Sequence, residues 1–451
     1  MQLPLSINPE HLGTWQDKLL PFDFLFEKSR ETGFIKRFRK LNPVYLLYIL
    51  IFGVSSHGRP TFEEIYRRYV DFDDNPKFSH SISIQSFKKR FDQNMVNFLS
   101  HLLDHYITVM ISECPVRFKS QAIRFKDILI QDSSIIRLSQ KLVEEYPAAR
   151  SRNNAAGMKI HTVYSARAHS PKTIQITGER IHDSKMLRIG REVKNVLIIN
   201  DLGYYSLKIF SRIKDYGGFF VSRLKTNAKP KVVSVVSGKV SKKLSESIID
   251  ENPPFLSDFL GLVAKNRIYD LVCSFEVQKG NQRSNKPPFE EHFRVVCFWN
   301  NKTMTWHTYI TNLSSDNFTP DEIYQLYKYR WIIELLFKEL KGDYDLGKLL
   351  LGNPSLAYIH IYSMLIRLII SRNLYTWILS TIEPENQDKY GPMLWSKVFA
   401  EKCHEFLSIL YQQVFGIGDV YERWIKLEHS LRHLSKSRHL NPRLSQKYTA
   451  F

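Results

Sequence analysis

Tyr327, Arg330, Glu334 and Lys341 are spaced at offsets of three, four and seven residues within a strongly helical pattern. At roughly 100° per residue, the four side chains fall within an arc of roughly 60° on one helix face. One face then offers a carboxylate able to hold a metal ion, with two cations and a phenol beside it able to hold phosphates. Trp331, Ile332, Ile333, Leu335, Leu336, Phe337 and Leu340 cover most of the remaining surface, so the helix is expected to pack into a core. A plainer reading stands beside this one. Glu334 forms i,i+4 pairs with both Arg330 and Lys338, and such pairs serve ordinary helices at roughly 0.2–0.5 kcal/mol each.

Two aspartates turn this face into a candidate site. Asp132 interrupts the apolar run Ile128-Leu-Ile-Gln-Asp-Ser-Ser-Ile-Ile. A charge within a buried strand is costly unless compensated, and coordination of a cation is one compensation. Asp201 ends the run Val196-Leu-Ile-Ile-Asn, at the strand edge where α/β sheets place ligand-binding groups. Neighbouring strands carrying these acids, crossed by the Glu334 helix, would form an oxygen-only triad suited to Mg²⁺ or Mn²⁺. Two such ions, about 3.5–4 Å apart, clamp the attacking and leaving oxygens of a phosphoryl displacement. Taken singly, Asp132 also fits a satisfied strand acid, and Asp201 an N-cap.

The elements that must position these residues follow from pattern. The first 120 or so residues read as helical. Thr61 and Glu64 form a capping-box signature there, and Ser86–Leu103 reads as one helix. Strands are expected at 125–138, 159–166 and 172–177, a helix at 182–193, a strand at 195–201, a helix at 205–216 and a strand at 219–223. That alternation predicts an α/β core on a mixed sheet. Residues 226–311 depart from it and read as a β-rich insertion, with strands at 268–277, 292–299 and 305–311 and a polar loop at 279–286. The helix bearing Glu334 starts after Thr319-Pro320. The rest, 351–451, is helical with a basic end. The expected organisation is therefore a helical DNA-binding region over 1–120, a core from 121–225 and 312–350, the insertion at 226–311, and a helical region for DNA contact or dimerisation.

Composition narrows the function classes. Lys and Arg number 64 against 45 Asp and Glu, a formal charge of +19, which favours a polyanionic partner such as nucleic acid. Hydrophobic residues at 43% and aromatics at 13% argue against disorder. The four cysteines, Cys114, Cys273, Cys297 and Cys403, form no CxxC pair, so zinc ribbons and disulfide frameworks are not expected. The N-terminus lacks a signal-peptide pattern. The apolar runs 44–54 and 359–379 are read as core helices, the first too short to span a bilayer and the second carrying Arg367 and Arg372. A soluble protein of a reducing cytoplasm is the expectation.

These residues together resemble the DDE transposases of the insertion-sequence-four family. Tyr327, Arg330, Glu334 and Lys341 match its Tyr-Arg-Glu-Lys signature without a gap. Asp132 matches its first acid, and Asp201-Leu-Gly203-Tyr204 its second with the turn that follows. Lys159, His161 and Arg223 lie in weaker echoes. The resemblance implies a ribonuclease H-like mixed-sheet catalytic core interrupted by a β-rich insertion. It implies that Asp132, Asp201 and Glu334 bind two Mg²⁺ ions, with Mn²⁺ a substitute, for nicking at the 3′ ends, a hairpin step and strand transfer into target DNA. Tyr327, Arg330 and Lys341 would then hold DNA phosphates, and either Trp299 or Trp306 would stack on a flipped base, unless both are core aromatics. The implied partners are terminal inverted repeats, target DNA and a second copy of the chain. A catalytically silent DNA-binding protein and a non-transposing nuclease are the alternatives.

Overall fold

A computed structural model describes residues 20–36, 40–54, 62–73, 82–112, 124–149, 155–186, 189–249, 253–278, 287–347, 349 and 352–437. Thr61 of the expected capping box, the loop 279–286 and the basic residues Arg438, Arg443 and Lys447 lie outside them. The chain opens with helices α1 (Phe22–Glu31), α2 (Pro43–Tyr48), α3 (Phe62–Asp73), α4 (Ile84–Lys88) and α5 (Gln93–Ser112). The single helix expected over 86–103 is thus two. The Asp92 carboxylate accepts from the amides of Asn94 and Met95 at 3.0 and 3.2 Å, restarting the helix with a new cap.

Nine strands then form one mixed sheet among the described residues, in the order β3-β2-β1-β4-β5-β9-β8-β7-β6. They are β1 (Asp127–Leu138), β2 (Ala156–Ser165), β3 (Ser170–Gly178), β4 (Val196–Asn200), β5 (Phe219–Arg223), β6 (Lys231–Ser237), β7 (Tyr269–Val277), β8 (Phe289–Asn300) and β9 (Thr305–Thr311). The first three pair antiparallel, while β1, β4 and β5 run parallel. This bears out the ribonuclease H-like α/β expectation. The later strands add to the β5 edge through antiparallel β9, so the insertion's strands extend the same sheet.

Helix α6 (Leu207–Asp215) links β4 to β5, and α7 (Lys242–Ile249) and α8 (Leu256–Leu262) lie between β6 and β7. The helix expected over 182–193 is instead two short 3₁₀ turns, Asp183–Met186 and Arg191–Val193. Gly190, extended at φ −149°, interrupts any continuous helix there. β6 was not recognised as a strand. It is an edge strand whose residues mostly face solvent, so its Lys and Ser side chains break the apolar pattern that identifies buried strands.

After β9 come α9 (Pro320–Lys328), α10 (Trp331–Gly342), α11 (Pro354–Ser380), α12 (Pro392–Phe415) and α13 (Val420–Leu434). Thr319 caps α9 as anticipated. Its hydroxyl oxygen accepts from the Glu322 amide at 3.3 Å, and its own amide donates to the Glu322 carboxylate at 2.6 Å. α11 is long and apolar enough to cross a membrane, yet it is packed within the protein. Buried Arg367 donates to the carbonyls of Ile51 and Val54, and buried Arg372 to Glu339 on α10. The segment 43–54 is likewise core.

The Arg372–Glu339 pair ties the helix carrying Glu334 to the central helix α11. Both side chains are buried, and burial raises the Glu339 carboxyl to about 7 despite Arg372 beside it. Glu339→Ala would leave a buried guanidinium uncompensated and is expected to destabilise the protein by about 3–5 kcal/mol in chemical denaturation. Replacing both partners by apolar residues (Glu339→Met with Arg372→Leu) should recover most of that loss. A double variant as unstable as the single one would show that the lost charge partner is not the cause.

Candidate functional site

Strand register brings the first two acids together. Gln131 and Asn200 are the last partners of the parallel β1–β4 ladder, and Asp132 and Asp201 are the next residue on each strand. Side chains alternate between sheet faces. Asp132 therefore shares a face with buried Ile128 and Ile130, and Asp201 with Leu197 and Ile199, all four in one core cluster with Ile333 and Leu336 of α10. The row continues across the sheet. Ser222 pairs with Asn200, so Arg223 comes beside Asp201. Arg223 pairs with Tyr309, and Tyr309 with Val296.

The helical face over this row is built differently from the single helix expected. α9 ends at Lys328 and α10 begins at Trp331. At the junction, i→i+3 bonds replace i→i+4 ones: Arg330 N donates to the Tyr327 carbonyl at 3.1 Å and Ile332 N to the Tyr329 carbonyl at 3.0 Å. A tightened turn of three residues sets Tyr327 and Arg330 one above the other, and the guanidinium lies 5.8 Å from the Tyr327 ring centre. Below it, buried Ile333, Leu336, Phe337 and Leu340 seat α10 on the core. Each such burial contributes about 1.5–3 kcal/mol, which holds Glu334 at a fixed height.

Arg330 joins the acids. One guanidinium nitrogen is 2.6 Å from a Glu334 carboxylate oxygen, and another is 3.8 Å from Asp201 Oδ1. Asp132 accepts from the Ser133 amide at 2.7 Å. Burial raises the Asp132 carboxyl to about 7; Asp201 and Glu334 push the same way, opposed by the Ser133 amide and Arg330. Three carboxylates that repel one another around one buried member are short of positive charge, and a hard cation is the partner this donor set suits. Among the described residues, no group of three His, Cys, Asp or Glu side chains already stands in coordinating geometry. Asp132, Asp201 and Glu334 fit a divalent ion by donor chemistry and electrostatic coupling, with Arg330 bridging two of them.

The remaining candidates divide. Lys341 lies on the last turn of α10. Desolvation and the charge of Arg137 hold its ammonium below the usual lysine value, while Asp132 pulls it up, so it stands within electrostatic reach of the acids. Trp299 and Trp306 are not brought to them. The two pair across β8 and β9 with ring centres 5.4 Å apart, and Trp306 packs on buried Tyr269 in the second core cluster, on the face opposite Tyr309. Lys265 sits 4.5 Å over Trp299.

Two residues absent from the sequence-based site join it. Arg223 stacks 5.6 Å from Tyr309, whose ring lies 5.0 Å from Tyr327. The Nε atoms of Arg223 and Arg330 are buried without an acceptor. The available signal was parity: Arg223 is two residues past Val221 on a strand that follows Asp201.

Comparison with known proteins identifies the family. The family model described as "Transposase DDE domain" matches residues 123–370, which includes all three acids and a little over half of the chain. The transposase for insertion sequence element IS231F of Bacillus thuringiensis subsp. israelensis is 22% identical over 466 residues, covering 94% of this chain and 93% of that protein. The transposase for insertion sequence element IS1151 of Clostridium perfringens is 21% identical over 366 residues, covering 77% and 76%. A cryo-EM structure of a piggyBac transposase synaptic complex with hairpin DNA aligns with a TM-score of 0.46 and 10% identity over 96% of this chain and 86% of that one, too distant to carry detail. With its acids on adjoining strands of a mixed sheet and more than half its length matched, this chain belongs to the DDE transposase family.

Proposed function

We propose that this insertion-sequence transposase cuts and joins DNA at a divalent-ion site held by Asp132, Asp201 and Glu334. The observation that carries the reading is the juxtaposition of Asp132 and Asp201 one residue past a parallel ladder, with Glu334 coupled to both through Arg330. All-oxygen donors favour Mg²⁺, with Mn²⁺ as a substitute. Bound there, the ions would supply Lewis acidity toward water or a 3′-hydroxyl and toward the scissile phosphate.

The chain's own residues supply the rest. The buried, unpaired Nε groups of Arg330 and Arg223 are donors that phosphate oxygens would satisfy. Tyr327 and Tyr309 wall the site on the side of those cations, and Lys341 adds charge at its rim. Phosphate contacts of this kind fix the position of DNA without reading its sequence, so recognition of inverted repeats falls to another region, and the helical segment before β1 is the candidate. Strand transfer requires two DNA ends at once, which supports a homodimeric complex. Opening of the second strand through a hairpin, and a nucleoid-associated, cytoplasmic setting, are what the family resemblance implies.

Glu334→Gln keeps the size of the side chain and removes its charge. It is expected to lower Mg²⁺-dependent nicking of labelled element ends by on the order of 10³, the scale of a lost transition-state charge stabiliser, while gel-shift affinity for the same DNA is retained. Nicking at the wild-type rate would rule Glu334 out.

Asp132 gives a second test without DNA. Burial raises its carboxyl to about 7 in the folded protein, against about 3.9 when unfolded. The folded state thus binds more protons between those values, and ion-free stability falls as pH rises through that window. Asp132→Asn should therefore melt about 2–4 °C above wild type at pH 7.5 in chelator, with the gap closing toward pH 4.5. Mn²⁺ should stabilise wild type and not the variant. Equal melting points at both pH values would contradict the crowding of the acids.

A further inference from the structure

Behind β1, on the face opposite Asp132, lies a polar cluster that the catalytic reading does not use. Ser133 follows Asp132 and pairs with His161 of β2. Asp183, on the first 3₁₀ turn after β3, accepts from the Ser133 hydroxyl at 3.0 Å and from Lys159 Nζ at 2.9 Å. His161 Nδ1 is 3.5 Å from the same Asp183 oxygen and shares a 3.3 Å hydrogen bond with the Tyr204 hydroxyl, while its Nε2 bonds Thr177 Oγ1 at 2.9 Å. Burial pushes the His161 imidazole down to about 4, with Lys159 adding to that and Asp183 opposing it, so the ring is a neutral spacer within the cluster.

Tyr204 belongs to the turn Leu202–Tyr204 immediately after Asp201. Gly203 in that turn lies so close to Asp183 that an added Cβ would stand 3.1 Å from its Oδ2. One carboxylate thus touches the residue after Asp132 and abuts the turn after Asp201. The Lys159 charge that neutralises it comes from β2, and both side chains are largely shielded from solvent, at 11% and 21% exposure.

We propose that Asp183 is a positioning residue for the DDE reaction: by bracing Ser133, Lys159 and the Gly203 turn from behind the sheet, it fixes the spacing of Asp132 and Asp201. This rests on the assignment of those two acids as ion ligands. Asp183 Oδ1 is engaged by Lys159 and Ser133, so Asp183 acts through its neighbours. Partners of this kind behind ion ligands typically govern affinity for the ion by 10–100-fold, so the signature is a shift in ion dependence.

The test compares wild type, Asp183→Asn and Ser133→Ala as full-length proteins. Mn²⁺ binding is read by electron paramagnetic resonance, and nicking of labelled element ends is followed across a Mg²⁺ titration. Asp183→Asn should weaken Mn²⁺ binding and raise the half-maximal Mg²⁺ concentration by about 10-fold or more, with metal-free DNA affinity unchanged. Ser133→Ala, which removes one hydrogen bond and little volume, should move both in the same direction by a few-fold, and stands as the test if Asp183→Asn does not fold. Wild-type binding and Mg²⁺ midpoints in the folded variants would overturn the role of Asp183 alone. Failure of wild type to bind Mn²⁺ or to cut would instead overturn the ion-ligand assignment, and this inference with it.

Discussion

The site depends on two carboxylates held side by side, one of them buried. Asp132 and Asp201 occupy adjoining positions because the β1–β4 ladder ends at Gln131 and Asn200, and neither strand can slip without turning its apolar residues to the wrong face. Burial is the larger cost to Asp132 and raises its carboxyl to about 7, with Asp201 and Glu334 pushing the same way. Arg330 supplies positive charge by reaching both Asp201 and Glu334. Acids clustered this way are unfavourable for the fold alone. The sheet holds that electrostatic tension in place.

The rest of the structure keeps that tension from relaxing. The hydrophobic face of α10 seats Glu334, and the buried Arg372–Glu339 pair locks α10 to α11. α11 in turn is fastened to the N-terminal helices by Arg367, which donates to the carbonyls that end the 43–54 segment. Beyond β5, the strands of the insertion continue the same sheet and deliver Tyr309 beside Arg223. Cations and phenols therefore reach this face from both the helix and the insertion.

Much of this was legible in the residues themselves, for identifiable reasons. The strand at 195–201 and that at 305–311 stood out because buried strands are apolar and short. Asp132 and Asp201 stood out because a charge within or at the end of such a run demands a partner. Glu334 and Arg330 were visible through helical spacing, although the junction at Tyr329–Arg330 tightens the turn in a way that side-chain types do not encode. What stayed hidden depended on contacts distant in sequence. Arg223 and Tyr309 become neighbours only through the β5–β9 register, and Asp183 sits in a segment whose helical look concealed its commitment to Ser133 and Lys159. Trp299 and Trp306 are attractive as stacking residues by type, but alternation along β9 turns Trp306 toward the second core, and Trp299 packs on it.

The central claim is that Asp132, Asp201 and Glu334 close on one divalent-ion site. Its most direct test is a crystal of the protein with cleaved end DNA in Mn²⁺, read by anomalous scattering at the manganese edge. Anomalous peaks within coordinating distance of all three carboxylates, with Arg330 withdrawn from Asp201 onto a DNA phosphate, is the predicted result. Manganese bound elsewhere, with Arg330 still bridging Asp201 and Glu334 against bound DNA, would contradict it.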